Sequence, residues 1–217
     1  MSNEIKIIAG ISVVTLVLVV GAAFLFGGSS SSSQNAKPIS NTQALFHSDS
    51  HEINAHSKVT LVEFGDFQCP ACGAEYPIIT QLLQTYNGKI NFVFRDFPLP
   101  QHQNAQAAAE VAEAAGAQGK FFEMYNMLYT NQSTWGETTN AMDYFTQYAK
   151  ALRLDMNKFT SDVKNNKYKE KIQKDTSDGY AVGVNATPTF FLNGVAIEGG
   201  LPYNDFKTKI DEALKKS

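Results

Sequence analysis

One short segment restricts the possible folds of this chain more than any other. The run KVTLVEF, residues 58–64, is almost entirely apolar on both faces of an extended strand. Because successive side chains of a strand point to opposite sides, Leu61 and Glu63 share one face, while Val62 and Phe64 share the other. A strand that is apolar on both faces lies inside a sheet covered on both sides. The sequence therefore predicts an α/β fold with this strand at its centre.

Glu63 is the exception within that strand. An ionised carboxylate among valine and leucine side chains is costly unless it has a raised pKa, a bound water or a cation nearby. Glu63 is therefore a candidate functional residue. The alternative is a glutamate at the sheet edge that leans into solvent.

The only two cysteines of the chain follow this strand directly. Cys69 and Cys72 are separated by two residues, and the segment PACGAEYPIITQLLQTY carries apolar residues at helical spacing. Pro70 fits the first helical position, where its missing N–H costs nothing. Pro77 predicts a kink further along the helix. Cys69 is thus expected just before the helix, with Cys72 in its first turn.

Later segments complete the α/β pattern. KINFVFRDFPL, residues 89–99, predicts a second strand parallel to the first. Helical periodicity predicts a helical insertion over about residues 101–183. TPTFFLNGVAIEG predicts a hairpin that turns at Asn193-Gly194, and YNDFKTKIDEALKKS predicts a last helix. The order strand, helix, strand, hairpin and helix is that of a thioredoxin fold, here with an insertion before the hairpin.

The N-terminal part has a different character. Residues 7–26, IIAGISVVTLVLVVGAAFLF, form an uncharged apolar run that is long enough to cross a hydrocarbon core of roughly 30 Å. Lys6 precedes the run, which favours a cytoplasmic location for residues 1–6. We therefore expect one transmembrane signal-anchor helix in the cell membrane, with the catalytic domain on the extracytoplasmic side. The alternative is a cleaved signal peptide, for which Gly21-Ala22-Ala23 offers small residues.

A polar segment separates this run from the rest of the chain. Residues 27–55 begin with GGSSSSSQNAKPIS and predict a flexible tether. Residues 56–217 are left as the folded domain. Outside the cytoplasm, that domain can form a disulfide.

Composition and spacing exclude several functions. The formal net charge of −3 gives no basic face for nucleic acid. A zinc site would need two ligands besides the cysteines, and the chain has no second cysteine pair. We interpret His47, His51 and His56 as solvated residues of the tether and expect no metal there. His102, which follows FPLP, is expected either in a substrate groove or near a helix start.

Four segments of the chain resemble a known family when they are taken in order: VEFGDFQCPAC, FRDFPLPQH, AAGAQGKFF and NATPTFFLNG. They are similar to the DsbA-like branch of the thioredoxin-fold thiol:disulfide oxidoreductases, especially its membrane-tethered bacterial members. The resemblance covers about residues 56–217. It implies that Pro188 follows a cis peptide bond, that Thr187 faces the cysteines and that Glu63 is the buried acid beneath them.

The resemblance also implies a substrate-binding surface made of Pro70, Ala71, Thr187 and Pro188. A cis proline would leave the main chain of Thr187 free to pair with an extended substrate. The alternative is an ordinary trans bond before Pro188 at the start of a strand.

The chemistry of the cysteine pair can be argued from their positions. Unpaired N–H groups and the helix macrodipole stabilise an anion at a helix N-terminus, so Cys69 should have a lowered pKa and be the exposed nucleophile. Cys72 lies deeper and is expected to keep a more ordinary pKa. Glu63 is expected to shuttle the proton of Cys72 through a water.

These features predict an extracytoplasmic dithiol:disulfide oxidoreductase that oxidises unfolded or reduced secreted proteins and needs no bound cofactor. The resemblance implies reoxidation by an integral-membrane, quinone-linked partner. Ala71 occupies a place where the strongest oxidants of the family carry histidine, so the pair is expected to be less oxidising than theirs. One alternative is a disulfide reductase or isomerase on the same fold. Another is a binding module whose disulfide is only structural.

Overall fold

The computed structural model describes residue 39 and residues 44–217. The predicted membrane span, residues 7–26, and the first part of the predicted tether lie outside the described residues. In the part of the chain that is described, no helix combines the length and apolar character needed to cross a membrane.

The described strands form one mixed sheet. Strand β2 is its central strand, which confirms the prediction from the apolar run. It pairs in parallel with β3 and antiparallel with β4, and β1 and β5 are antiparallel edge strands in the order β1-β3-β2-β4-β5. The strand bounds are β1 His51–Ile53, β2 Val59–Gly65, β3 Ile90–Asp96, β4 Thr189–Leu192 and β5 Val195–Glu198.

The helices confirm the predicted thioredoxin-type order and its helical insertion. Their bounds are α1 Pro70–Thr85, α2 Ala105–Gly116, α3 Phe121–Thr130, α4 Gln132–Trp135, α5 Ala141–Ala151, α6 Met156–Lys164, α7 Lys169–Ala181 and α8 Tyr203–Lys216. Helix α1 is continuous through Pro77. Asn193 and Gly194 have φ angles of 48° and 82°. Two positive φ angles are those of a type I′ turn, so the predicted hairpin is confirmed.

The sheet has a core on each face. Leu61 of β2 belongs to a large apolar cluster that includes buried residues of α1, α2, α3 and α8. Val62 and Phe64 belong to a second cluster, with Val93 and Phe191 of the neighbouring strands. The alternation of side chains along β2 thus supplies both cores, which explains why this strand is apolar on both faces.

The folded domain begins earlier than the sequence predicts. Strand β1 pairs with β3 through the partners His51 and Phe94, and Leu45 is 1% exposed. The prediction that the tether reaches residue 55 is therefore wrong for residues 44–55. Edge pairing with β3 and contacts with residues distant in sequence order this segment, and its own periodicity cannot reveal either of them.

Two histidines of this segment are not solvated as predicted. His51 stacks on Phe121 with ring centroids 3.6 Å apart, and its Nε2 lies 3.0 Å from Glu113 Oε2. His47 Nε2 lies 2.7 Å from Asp178 Oδ2. His47 therefore attaches the segment before β1 to the helical insertion, and His51 attaches the start of β1.

A buried ion-pair network also connects the N-terminal segment of the domain to the sheet and the helical insertion. The guanidinium of Arg95 on β3 is fully buried, and its Nη2 lies 2.9 Å from Asp175 Oδ1 and 2.7 Å from Asp178 Oδ2 of α7. Its Nη1 donates to the carbonyl of Ala44 at 3.3 Å. Arg95 thus joins the sheet, the insertion and the N-terminal segment of the domain.

Candidate active site

The cysteine pair lies between the end of β2 and the first turn of α1. Cys69 is the N-cap residue of α1, and Cys72 lies in the first turn. The N–H of Cys69 donates to the carbonyl of Asp66 at 3.0 Å, and the carbonyl of Cys69 accepts the N–H of Gly73 at 3.0 Å. The strand end and the helix start therefore both fix Cys69. Both cysteines are free thiols, so the described state is the reduced one.

The two sulfurs differ in exposure. Cys72 is completely buried, and Cys69 is 7% exposed. The prediction of an exposed Cys69 is therefore wrong in this state. The thiol of Cys69 donates to the carbonyl of Thr187 at 3.3 Å, so the chain before β4 covers the sulfur. The remaining exposure makes Cys69 the accessible member of the pair.

The loop before β4 has the predicted geometry. The Thr187-Pro188 peptide bond is cis, and the contact between the Thr187 carbonyl and Cys69 places this loop against the thiol. Pro70 and Ala71 are exposed beside it. Their predicted contact with substrate stays a prediction, as does that of Thr187 and Pro188.

The environment of Cys69 favours its thiolate. The pKa of Cys69 is lowered to about 5, chiefly because the thiol of Cys72 donates a hydrogen bond to it. The Thr187 side chain and the backbone N–H groups of Cys72 and Ala71 contribute, while burial opposes the shift. The prediction of an acidic Cys69 is thus confirmed. The sequence argument credited the helix end alone, but the largest contribution comes from the second cysteine.

Cys72 departs from the expectation of an ordinary pKa. Burial raises its pKa well above the usual value, and its hydrogen bond to Cys69 and the nearby Glu63 carboxyl act in the same direction. Cys72 therefore keeps its proton while Cys69 loses its own. The prediction did not account for complete loss of solvent around the second sulfur.

A first prediction concerns the reactivity of the two thiols. In the reduced protein, we expect alkylation of Cys69 by iodoacetamide to rise with pH around a midpoint near 5, because the thiolate is the nucleophile. Replacing Cys72 by alanine removes the donated hydrogen bond and should raise this midpoint by about one to two pH units. Mass spectrometry of the singly alkylated protein measures both profiles. A midpoint near 8.5, as for an ordinary cysteine, in both proteins would contradict the assignment.

Glu63 lies beneath the pair as a buried acid. It is 1% exposed on the central strand, which excludes the alternative of a solvated glutamate at the sheet edge. Burial raises its pKa to about 8, and the charges of Glu75 and Cys69 act in the same direction. The hydroxyl of Tyr125 donates to Glu63 Oε2 at 3.3 Å and opposes the shift. Glu63 can therefore exchange a proton near neutral pH.

The sequence analysis missed a second buried carboxyl, that of Glu75. It follows Cys72 by three residues on α1 and is 7% exposed. Its Oε1 accepts the N–H of Leu201 at 3.2 Å, and Gly200 lies so close that a β-carbon would not fit. Burial raises the pKa of Glu75. The spacing after Cys72 was the available signal, because residues three apart share a helix face.

The helical insertion holds the backbone around Cys69. Nε2 of Gln132, at the start of α4, donates to the carbonyls of Phe67 and Cys69 at 2.7 and 2.8 Å. Nε2 of Gln68 donates to the carbonyl of Gly136 at 2.6 Å. The insertion thus fixes the active-site turn through side-chain amides, and none of these pairings has a local sequence signal.

Asp66 organises the other side of the turn. Its Oδ1 accepts the N–H of Gln68 at 2.7 Å, and its Oδ2 accepts the N–H of Leu99 at 2.9 Å. Nδ1 of His102 lies 2.6 Å from the same Oδ2. His102 thus lies before the start of α2, in agreement with the second of its two predicted positions.

Among residues 44–217, no three His, Cys, Asp or Glu side chains are grouped so that they could hold a metal ion.

Comparison with known proteins identifies the family of the domain that contains the two cysteines. Residues 53–212 match a family model described as thioredoxin. A thioredoxin-like oxidoreductase from Silicibacter pomeroyi is 24% identical with a TM-score of 0.69, over 81% of this chain and 98% of that one. The thiol-disulfide exchange protein alpha-DsbA2 from Wolbachia pipientis is 26% identical with a TM-score of 0.69, over 79% and 90%. Oxidised BdbD from Bacillus subtilis is 20% identical with a TM-score of 0.70, over 83% and 97%.

Curated relatives match over only a part of their length. The Na(+)/H(+) antiporter NhaA 1 of Salinispora arenicola is 41% identical over 137 residues, which are 63% of this chain and 20% of that protein. NhaA 3 of Salinispora tropica is 38% identical over 147 residues, which are 67% and 21%. This chain therefore spans about a fifth of the length of the curated relatives it matches. Their antiporter name describes those proteins and assigns no transport activity to this chain.

Proposed function

Because this chain belongs to the thioredoxin family, we propose that it is a DsbA-like dithiol:disulfide oxidoreductase that oxidises secreted or surface proteins. One observation carries this proposal. The thiol of Cys69 lies at the N-terminus of α1 with a lowered pKa and donates to the carbonyl of Thr187 in the loop before β4. A merely structural disulfide would not require a stabilised thiolate at an accessible position.

The proposed reaction uses the oxidised pair. A substrate thiolate attacks the sulfur of Cys69, the bond between Cys69 and Cys72 breaks, and its electron pair passes to the sulfur of Cys72. Cys72 takes a proton, for which the carboxyl of Glu63 is the donor we propose. A second substrate thiolate then attacks the substrate sulfur of the mixed disulfide, and Cys69 leaves as a thiolate. The substrate is oxidised by two electrons, and the cysteine pair is reduced.

The lowered pKa of Cys69 supports the oxidising direction. Stabilising the Cys69 thiolate stabilises the reduced protein, and a stable reduced form makes the disulfide a better oxidant. Substrate would lie across the exposed Pro70 and Ala71 and along the main chain of Thr187 before Pro188. Continued turnover then needs an acceptor for the electrons.

The proposed setting is the outer side of the cell membrane. The apolar run of residues 7–26 supports a single membrane-spanning anchor, and an extracytoplasmic location permits the disulfide. The resemblance to membrane-tethered members supports an integral-membrane, quinone-linked partner as the reoxidant. Protease added to spheroplasts should therefore digest residues 44–217 and leave a cytoplasmic control protein intact, whereas protection of residues 44–217 would contradict the orientation.

A second prediction tests the direction of electron flow. We expect denaturant melts at pH 7 to give a larger free energy of unfolding for the reduced protein than for the oxidised one. The pKa of Cys69 is lower in the folded state, about 5, than in the unfolded chain. Its thiolate therefore contributes stability that is present above the unfolded pKa and is lost as the pH falls through about 5.

The pH dependence of that difference is the sharper measurement. Glu63 has a raised pKa, so its contribution falls as the pH rises, but burial, the main cause, is expected in both redox forms, so most of this contribution cancels in the difference. Between about pH 5.5 and 8, the reduced form should gain about 1.4 kcal/mol per pH unit over the oxidised form. A difference that is independent of pH, with the oxidised form more stable, would instead support a reductase or a structural disulfide.

A further inference from the structure

Two tyrosines of α3 lie one helical turn apart and make different use of their hydroxyls. Tyr125 and Tyr129 are 3% and 4% exposed. The hydroxyl of Tyr125 donates to Glu63 Oε2 at 3.3 Å. The hydroxyl of Tyr129 is buried without a hydrogen-bond partner among the described residues. Two similar side chains in one environment thus differ in their contact with the buried acid.

The ring of Tyr125 is held from several sides. Phe94 lies 5.2 Å from it, Tyr129 lies 4.9 Å from it, and Phe67 lies 5.9 Å from it, each in an edge-to-face arrangement. These contacts restrict the ring, so the hydroxyl oxygen stays beside Glu63 unless the aromatic cluster repacks.

Tyr125 also lines a pocket that opens to solvent. The pocket has a volume of about 400 Å³ and lies between α1 and α3. Its other lining residues are Ile53, Thr80, Leu83, Gln84, Asn87, Phe122 and Asn126. Tyr125 is therefore the described side chain that both contacts the carboxyl of Glu63 and borders this pocket.

We propose that Tyr125 is a positioning residue for the thiol–disulfide reaction, which holds the Glu63 carboxyl and links it to the solvent pocket, so that the hydroxyl governs the proton exchange of Cys72. This inference rests on the proposed function of the cysteine pair and adds a residue to it.

The step concerned is closure of the disulfide from a mixed disulfide. Cys72 gives its proton to the Glu63 carboxylate, and its sulfur attacks the sulfur of Cys69. The bond from Cys69 to the partner sulfur breaks, and the partner leaves with the electron pair. Glu63 must then lose the proton. It passes to the oxygen of the Tyr125 hydroxyl, while the phenolic proton turns away from Glu63 and passes to a solvent water of the pocket, so that the tyrosine stays neutral.

Few other ionisable groups face Glu63. Helix α1 contributes Cys69, Cys72 and Glu75, and α3 contributes the two tyrosines. The strand neighbours Phe94 and Phe190 carry no charge. A change in the pH dependence of Glu63 can therefore be assigned by replacing these groups one at a time.

The test compares Tyr125→Phe with Tyr129→Phe, which serves as the matched control. Reduced protein is mixed with excess oxidised glutathione, quenched with acid, and the protein–glutathione mixed disulfide is followed by mass spectrometry over a range of pH. Phenylalanine keeps the ring packing but cannot donate to the carboxylate. Since a hydrogen bond to the charged form favours that form, its loss should raise the pKa of Glu63.

For Tyr125→Phe we expect the midpoint of mixed-disulfide decay to move up by about one pH unit, with decay about tenfold slower below the midpoint. Formation of the mixed disulfide by Cys69 should not change, and Tyr129→Phe should behave like the natural protein in both steps. If the profile of Tyr125→Phe does not move, or if Tyr129→Phe moves equally, the inference is overturned.

Glu63→Gln separates this inference from the proposed function. If Glu63→Gln removes the pH midpoint but Tyr125→Phe leaves it in place, only the role of Tyr125 fails. If Glu63→Gln leaves the midpoint in place, proton exchange through Glu63 fails, and the role of Tyr125 fails with it. If the natural protein forms no mixed disulfide, the proposed function itself fails.

Discussion

Replacing Cys69 by serine should reduce thiol–disulfide exchange to the rate of the uncatalysed reaction. A serine hydroxyl supplies no thiolate at neutral pH, and Cys72 cannot replace it, because the second sulfur is completely buried and keeps its proton. Oxidation of a reduced, unfolded model protein with two cysteines, followed by counting its free thiols, measures the loss.

Cys72→Ser is the matched variant for this experiment. With oxidised glutathione as the partner, the Cys69 thiolate can still attack and release one glutathione thiolate, but the mixed disulfide can no longer be closed by a second thiol of the protein. We expect a covalent complex of Cys72→Ser with glutathione that persists in the mass spectrum and disappears with reductant. If Cys72→Ser forms no complex, or if Cys69→Ser keeps its activity, the assignment of the nucleophile is wrong.

Replacing Arg95 by leucine should lower the free energy of unfolding by about 3–5 kcal/mol. The guanidinium is fully buried between Asp175 and Asp178, so its removal leaves carboxylates in a site with little solvent. The substitution also removes the hydrogen bond to the Ala44 carbonyl, which attaches the N-terminal segment. Denaturant melts of the reduced protein measure the loss. Limited proteolysis before β1 should become faster.

Lys120→Ala provides the control for the Arg95 variant. Lys120 Nζ lies 2.7 Å from Glu123 Oε1, but both side chains are 44% exposed. Water and salt screen such a pair, so its loss should cost no more than about 0.5 kcal/mol. An Arg95→Leu protein that is as stable as the natural one would show that apolar packing replaces the network without cost.

The central part of the fold could be predicted from local patterns. The apolar faces of β2, the helical spacing after Cys69 and the turn at Asn193-Gly194 each impose a period or backbone angle that few structures satisfy. Strand β1 could not be predicted this way. It is three residues long, and pairing with β3 and the contacts of His47 and His51 order its segment.

In the active site too, some features were predictable from the sequence and others depend on tertiary packing. The spacing of Cys69 and Cys72 and the odd position of Glu63 in an apolar strand were visible in the sequence. The strength of the Cys69 acid and the raised pKa of Cys72 were not. Each of these depends on how much solvent is lost and which donor lies within hydrogen-bond distance, and those are properties of packing.

The sequence by itself determined the central elements of the fold, their order, and which side chains carry the reactive sulfur and the buried acid. Periodicity, proline and glycine positions act over a few residues, so a linear reading captures them. Only the tertiary structure decided which distant groups meet: Thr187 against Cys69, Gln132 on the active-site turn, and Tyr125 on Glu63. Such pairings are selected by the global packing of the core, because a hydrogen bond between residues far apart leaves no period in the chain.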